Sequence, residues 1–301
     1  MSNKSIQAWT SIAMLAIMSH FSAGAWTVLL ILIVIGYCIL KLAPEDFGQI
    51  NNNPIFCIAQ LIGIYLLISQ LIPCSAQYWP GRKAEIVIPI TLLLLAIYGC
   101  GKRPERVAGI LFWAMVILFV PVMLAGGKDV QTQWIIPERF TISVWVVPAL
   151  LMPILTGIAT GLRQTGKWYV WTVLSGIGIW IIVHGVQSQS VAEIVDTPFR
   201  NMGQTLSIGP YSRFEAIVSV IATLGWFGFI SLALYCADQI WKRIGLEQKK
   251  SKWIHAILLL TMLLLGVKIT PAITVAYIIF VWVLLPAFGL KKISKKSEKS
   301  P

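Results

Sequence analysis

Charge is what this chain has least of. Only 12% of its 301 residues are Asp, Glu, Lys or Arg, while 57% are hydrophobic and the mean hydropathy is +0.79. Soluble domains carry about 25% charged residues, and no soluble interior could hide this much apolar surface, so lipid has to cover it. Histidines number 3 and acidic residues 12. No apolar run holds two carboxylates with a histidine at ligand spacing, and no P-loop, nucleophile elbow or dinucleotide fingerprint is present, so no enzyme class and no cofactor is indicated. The 5 cysteines, at 38, 57, 74, 100 and 236, lie in or beside apolar runs without CxxC spacing. They suggest neither a disulfide framework nor a metal site.

Long hydrophobic runs are what the sequence does have. A bilayer core of roughly 30 Å takes about 20 apolar residues per helix. The sequence predicts ten spans on that basis: 6–22, 24–42, 54–76, 84–100, 105–125, 143–162, 168–187, 214–240, 253–267 and 270–289. Basic residues test the count, because Lys and Arg collect in short cytoplasmic loops. With both termini inside, 17 of the 24 basic residues fall on the cytoplasmic side. The formal charge of +12 therefore reflects orientation and contact with anionic lipid, not nucleic-acid binding.

The expected organisation is one transmembrane domain, residues 1–290, followed by a basic cytoplasmic tail, 291–301. Lys4, the apolar run behind it and Ser22-Ala-Gly24 also fit a signal peptide with a small-residue cleavage site. A retained first helix with a tight Ser-Ala-Gly turn explains the same residues and is the reading favoured here. The longest polar stretches, 126–142 and 188–213, fall on the outer side. The first is expected to lie along the membrane surface with Trp134 near the headgroups; the second either lines an access vestibule or is a solvated loop.

Broken helices mark transporter sites, because an interrupted backbone at mid-membrane offers N–H and C=O groups to a small polar ligand. The sixth span carries Pro148 and Pro153, then Gly157 and Gly161. Each proline deletes a donor and crowds the preceding turn, which predicts unpaired carbonyls near residues 143–149. His184 and Asp238 lie near helix ends, and Lys242 at i+4 predicts an ordinary ion pair for Asp238. Arg213 and Glu215 open the eighth span on different faces, with Asp196 or Glu193 as candidate partners of Arg213.

The late motifs Asp196-Thr-Pro-Phe-Arg200, Arg213-Phe-Glu215 and Tyr235-Cys-Ala-Asp238, with Pro44-Glu-Asp-Phe-Gly-Gln-Ile-Asn-Asn-Asn-Pro54 and Gly101-Lys-Arg-Pro-Glu-Arg-Val107 before them, occur in an order that carries a family resemblance. The chain resembles the B subunit of bacterial spore-germinant receptors, a branch of the amino acid–polyamine–organocation transporter superfamily. The resemblance implies an all-α polytopic fold of about ten transmembrane helices in a 5+5 inverted repeat. It implies a protein of the bacterial cell membrane or inner spore membrane that binds a germinant such as an amino acid. Its partners would be a larger A subunit and a C lipoprotein. It also implies a ligand site where spans one and six meet, which selects Ser19, His20, Pro148, Ala149, Met152, Pro153 and Gly157. The first span departs from the family pattern in having no glycine before Gly24. An autonomous amino-acid transporter of the same fold and a degenerate, non-binding structural subunit remain the alternatives.

Overall fold

Inside lipid, every backbone N–H and C=O must be satisfied within its own segment, so uninterrupted apolar runs become helices. The computed structural model describes residues 3–20, 54–100, 104–135, 143–161, 166–188, 191–192, 195, 197–208, 211–212, 214–266 and 269–286. Helix α1 spans Asn3–His20, α2 spans Pro54–Leu71 and continues as a 3₁₀ segment over Ile72–Tyr78, α3 spans Ala84–Cys100, and α4 spans Pro104–Asp129. A single turn, α5 (Thr132–Ile135), precedes α6 (Val146–Thr160) and α7 (Gly166–Gln187). Then come α8 (Pro198–Thr205), a two-residue antiparallel ladder of β1 (Ser207–Ile208) with β2 (Tyr211–Ser212), α9 (Glu215–Arg243), α10 (Gln248–Leu264) and α11 (Pro271–Ile279), which runs on as a π-helical turn over Phe280–Leu284.

Nine of the ten expected spans coincide with these helices; the second, 24–42, and the basic tail 291–301 lie outside the described residues. Among the described residues, three helices are long and apolar enough to cross a membrane: Pro54–Tyr78, Glu105–Asp129 and Glu215–Arg243. Within the stretch 188–213, the described residues include the helix α8 and the short β1–β2 ladder, elements that a polar loop does not predict.

Helices α1 and α9 form the centre. Helix α1 packs against α4, α6, α7 and α9, and α9 packs in addition against α2, α3, α6 and α8. The two approach closely because glycines face small or branched side chains. A Cβ on Gly225 would stand 2.9 Å from the Cβ of Ala16, and one on Gly228 would stand 2.9 Å from Cγ2 of Ile12. The contact is locked by Trp9, whose indole N–H donates to the carbonyl of Gly228 at 2.8 Å. Small residues at such crossings let backbones meet where lipid offers no hydrophobic driving force.

The outside of the bundle is apolar as well. Ile110, Trp113, Ile117 and Leu124 repeat at helical spacing on α4 and are each more than 60% exposed. Water would not tolerate such a stripe, and acyl chains cover it naturally.

Candidate functional site

The sixth span does not break where its prolines predict. Helix α6 is continuous from Val146 to Thr160. Pro148 sits in its first turn, where the missing N–H is one that no helix pairs anyway. The carbonyls of Ser143 and Val144, expected to be unpaired, accept from the N–H groups of Val146 and Val147 at 3.1 and 3.3 Å. Pro153 alone removes an interior donor, the one that would serve the carbonyl of Ala149. The helix ends at Gly161, whose φ of 68° is the left-handed cap that glycine adopts without penalty. Helix α1 is likewise continuous to His20.

The two helices meet along a seam of hydroxyls. Midway along α1, Thr10 donates to the carbonyl of Ile6 at 2.8 Å and lies 3.3 Å from the hydroxyl of Thr156 on α6. Thr156 in turn donates to the carbonyl of Met152 at 2.8 Å. One residue on, Ser11 accepts from Thr172 of α7 at 2.7 Å. Thr10, Thr156 and Thr172 are all buried. Of the sequence-selected residues, Pro148, Ala149, Met152 and Pro153 are buried on α6 and Gly157 is half-buried beside Thr156.

Ser19 and His20 belong to a different cluster at the other end of α1. Ser19 donates back to the carbonyl of Ala16 at 3.1 Å. His20 is 4% exposed; its Nδ1 lies 3.0 Å from the hydroxyl of Tyr78, and its ring meets Trp226 edge-on at 5.6 Å. Tyr78 is held by Ser219 of α9, which donates to its carbonyl at 2.9 Å. His20, which the resemblance selects for the ligand site, is thus packed among aromatic rings of the 3₁₀ segment and α9.

Beyond that cluster a cleft of about 990 Å³ opens on the side that the charge bias puts outside, with Gln77, Trp79, Arg82, Glu85, Thr197 and Arg200 along it. Arg200 fixes its wall by donating from Nε to Glu215 at 2.8 Å and from Nη1 to the carbonyl of Gln77 at 3.1 Å, tying α8 to α9 and to the 3₁₀ segment. Glu215 therefore pairs with Arg200; the expected partners of Arg213, like Arg213 itself, lie outside the described residues. Gln187 joins the same wall, donating to the carbonyl of Pro198 at 2.9 Å and accepting from Asn201 at 2.7 Å.

Asp238 does not pair with Lys242, which is exposed. The carboxylate turns into the interface with α10, where Ser251 donates to Oδ1 at 2.5 Å and Nε2 of His255 lies 2.9 Å from the same oxygen. The other imidazole nitrogen lies 2.8 Å from the hydroxyl of Tyr65 on α2, and that oxygen accepts from the indole N–H of Trp241 at 2.9 Å. Two buried donors satisfy the carboxylate better than a solvated lysine on the same helix, whose pairing is worth only a few tenths of a kcal/mol. Sequence reading passed over His255, Tyr65 and Ser251. The signal lay in the short turn between α9 and α10, which sets residues a similar distance before and after it side by side.

No family model matches the chain. A UPF0344 protein of Shouchella clausii (strain KSM-K16) is 29% identical over 107 residues, which make up 35% of this chain and 82% of that protein. The name of that relative carries no activity.

Proposed function

We propose that this chain is the membrane subunit of a spore-germinant receptor, with about ten transmembrane helices in an inverted-repeat transporter fold and both termini cytoplasmic. It binds a small germinant, such as an amino acid, between α1 and α6 and passes the signal to an A-type membrane subunit and a C-type lipoprotein. The observation that carries the reading is the buried hydroxyl seam of Thr10, Thr156 and Thr172 where α1 meets α6 and α7. Hydroxyls and a carbonyl relieved of its helical donor by Pro153 are groups that would recognise a small polar molecule. The order of the late sequence motifs and the polar cleft above the seam support the same reading. Binding would act by favouring one of two packings of the bundle. Spores of the encoding organism that lack this chain should lose their response to at least one amino acid and regain it on complementation. An unchanged response to every amino acid that triggers the parent spores would overturn the reading.

A second reading, an autonomous secondary transporter of the same fold, is favoured by the buried Asp238–His255 pair, since ion coupling needs ionisable groups inside the membrane. Purified protein in liposomes separates the two. The receptor shows no gradient-driven uptake, whereas the transporter accumulates an amino acid until the imposed proton or sodium gradient is collapsed.

A further inference from the structure

Among the described residues, a connected buried polar group lies where neither reading places the germinant or amino acid. Tyr65 on α2, Asp238 on α9, and Ser251 and His255 on α10 are all 4% exposed or less. Four contacts of 2.5 to 2.9 Å join them to one another and to Trp241.

The hydrogens in this chain are fixed by elimination. An ionised carboxylate only accepts, so with a neutral imidazole the tyrosine hydrogen points at Nδ1 of His255, while the Tyr65 oxygen accepts from the indole N–H of Trp241. Nδ1 is then the acceptor nitrogen, and the imidazole hydrogen sits on Nε2 facing Asp238. Ser251 donates to the same carboxylate oxygen. Every donor runs one way, toward Asp238, and the pair of aspartate and neutral histidine carries one negative charge.

Among the described residues, the charged and titratable groups nearest the cluster are Arg243, Tyr235 with Glu105 of α4 beside it, Lys250 and Lys252. Arg243, five residues beyond Asp238 on α9, donates to the carbonyl of Ala159 at the end of α6 at 2.9 Å, on the side where Cys57 of α2 lies. Tyr235 stacks on Trp9 at 5.8 Å. On α10, Lys250 pairs with Glu247 at the surface, and Lys252 is half-buried one residue past Ser251. From α3, which also packs on α10, Tyr98 is exposed and Glu85 stands at the opposite end of its helix.

We propose that Asp238, His255 and Tyr65 form a proton-binding site that couples α10 to α2 and α9. A proton from solution binds Nδ1 of His255, and one N–H bond forms with no other bond broken. The new N–H donates to the Tyr65 oxygen, which still accepts from Trp241, and the tyrosine hydrogen turns away from Nδ1 and gives up its bond there. The pair passes from one negative charge to none, which a low-dielectric surrounding favours. The rearrangement falls on the hydroxyl that joins α10 to α2, so proton occupancy biases how these helices pack. The inference requires the helices to be membrane-embedded but not that the chain bind a germinant.

Histidine nitrogen resonances of the full chain in lipid test it, because only 3 histidines contribute and a His255→Gln variant identifies the third. The expected spectrum at high pH shows His255 with hydrogen on Nε2 alone; on acidification both nitrogens become protonated. In Asp238→Asn the second proton arrives at lower pH by at least about one unit, a tenfold weaker site. In Ser251→Ala, where the carboxylate loses a competing donor, it arrives at higher pH. Amide resonances of α2 and α10 around Tyr65 and His255 shift with the same midpoint, whereas in a purely structural network they stay fixed while His255 gains its proton, which would overturn the proposed coupling. A His255 that keeps one protonation state throughout, or a midpoint unmoved in both variants, would overturn the proposal.

Discussion

Single side chains in this protein act mainly by crossing between helices. Trp9 reaches a backbone carbonyl of α9, Arg200 joins three elements, and Ser219 and Trp79 clamp the 3₁₀ segment to α9, the latter by donating to Thr223 at 2.9 Å. Arg200 is the most consequential at the outer end, because its planar fork serves a carboxylate and a carbonyl at once. Arg200→Ala should lower the unfolding free energy of the purified protein by about 1 to 2 kcal/mol, and Arg200→Lys should recover less than half, since an ammonium cannot make the same fork. Thermal melts of the three proteins in one detergent check this. Residue roles were the least legible part of the sequence. Pro148 was conspicuous yet falls where a helix tolerates it, whereas Thr10 and Thr156 were inconspicuous because a threonine becomes a site residue only once another helix lies against it. His255 was hidden for the same reason: its bond to Asp238 spans 17 residues and exists only because α9 and α10 fold back on each other.

At the scale of elements, the helices were legible because apolar length is a local property. Nearly every expected span has its helix, with boundaries shifted by a few residues, and the cap at Gly161 and the prolines opening α8 and α11 act where such residues should. Continuity through a proline was not legible, since it depends on neighbouring helices holding the kinked segment. The amphipathic helix α8 was hidden inside what reads as a polar loop. Close crossings give the clearest prediction here. Gly228→Val puts a side chain into Ile12 of α1 and should cost about 1 to 3 kcal/mol, as overpacking of a filled interior does. Gly109→Val on α4, where a Cβ would meet nothing within 4 Å, should change stability by less than about 0.5 kcal/mol. Equilibrium unfolding of both variants in mixed micelles reads the contrast.

Over the whole molecule, the bare apolar stripe on α4 is compatible with a membrane protein, and the asymmetry of basic residues leads us to propose an orientation with the α9–α10 turn inside and the α2–α3 connection outside. On a background with the native cysteines removed, a membrane-impermeant maleimide added from outside should modify Lys83→Cys and spare Glu247→Cys, both of which are exposed positions. The reversed pattern would invert the topology. The central claim is narrower: a germinant sits where α1 and α6 meet, beside Thr156. Gly157 lies next to that threonine and is only half-buried, so Gly157→Phe adds bulk beside the proposed site with less disturbance than at a fully buried position. The decisive measurement is the amino-acid dose response of spores carrying Gly157→Phe, with the amount of the protein in the inner membrane measured in the same spores. The account predicts at least a tenfold higher half-maximal concentration, a loss of about 1.4 kcal/mol of binding, at unchanged protein level. A dose response matching the parent spores would contradict it.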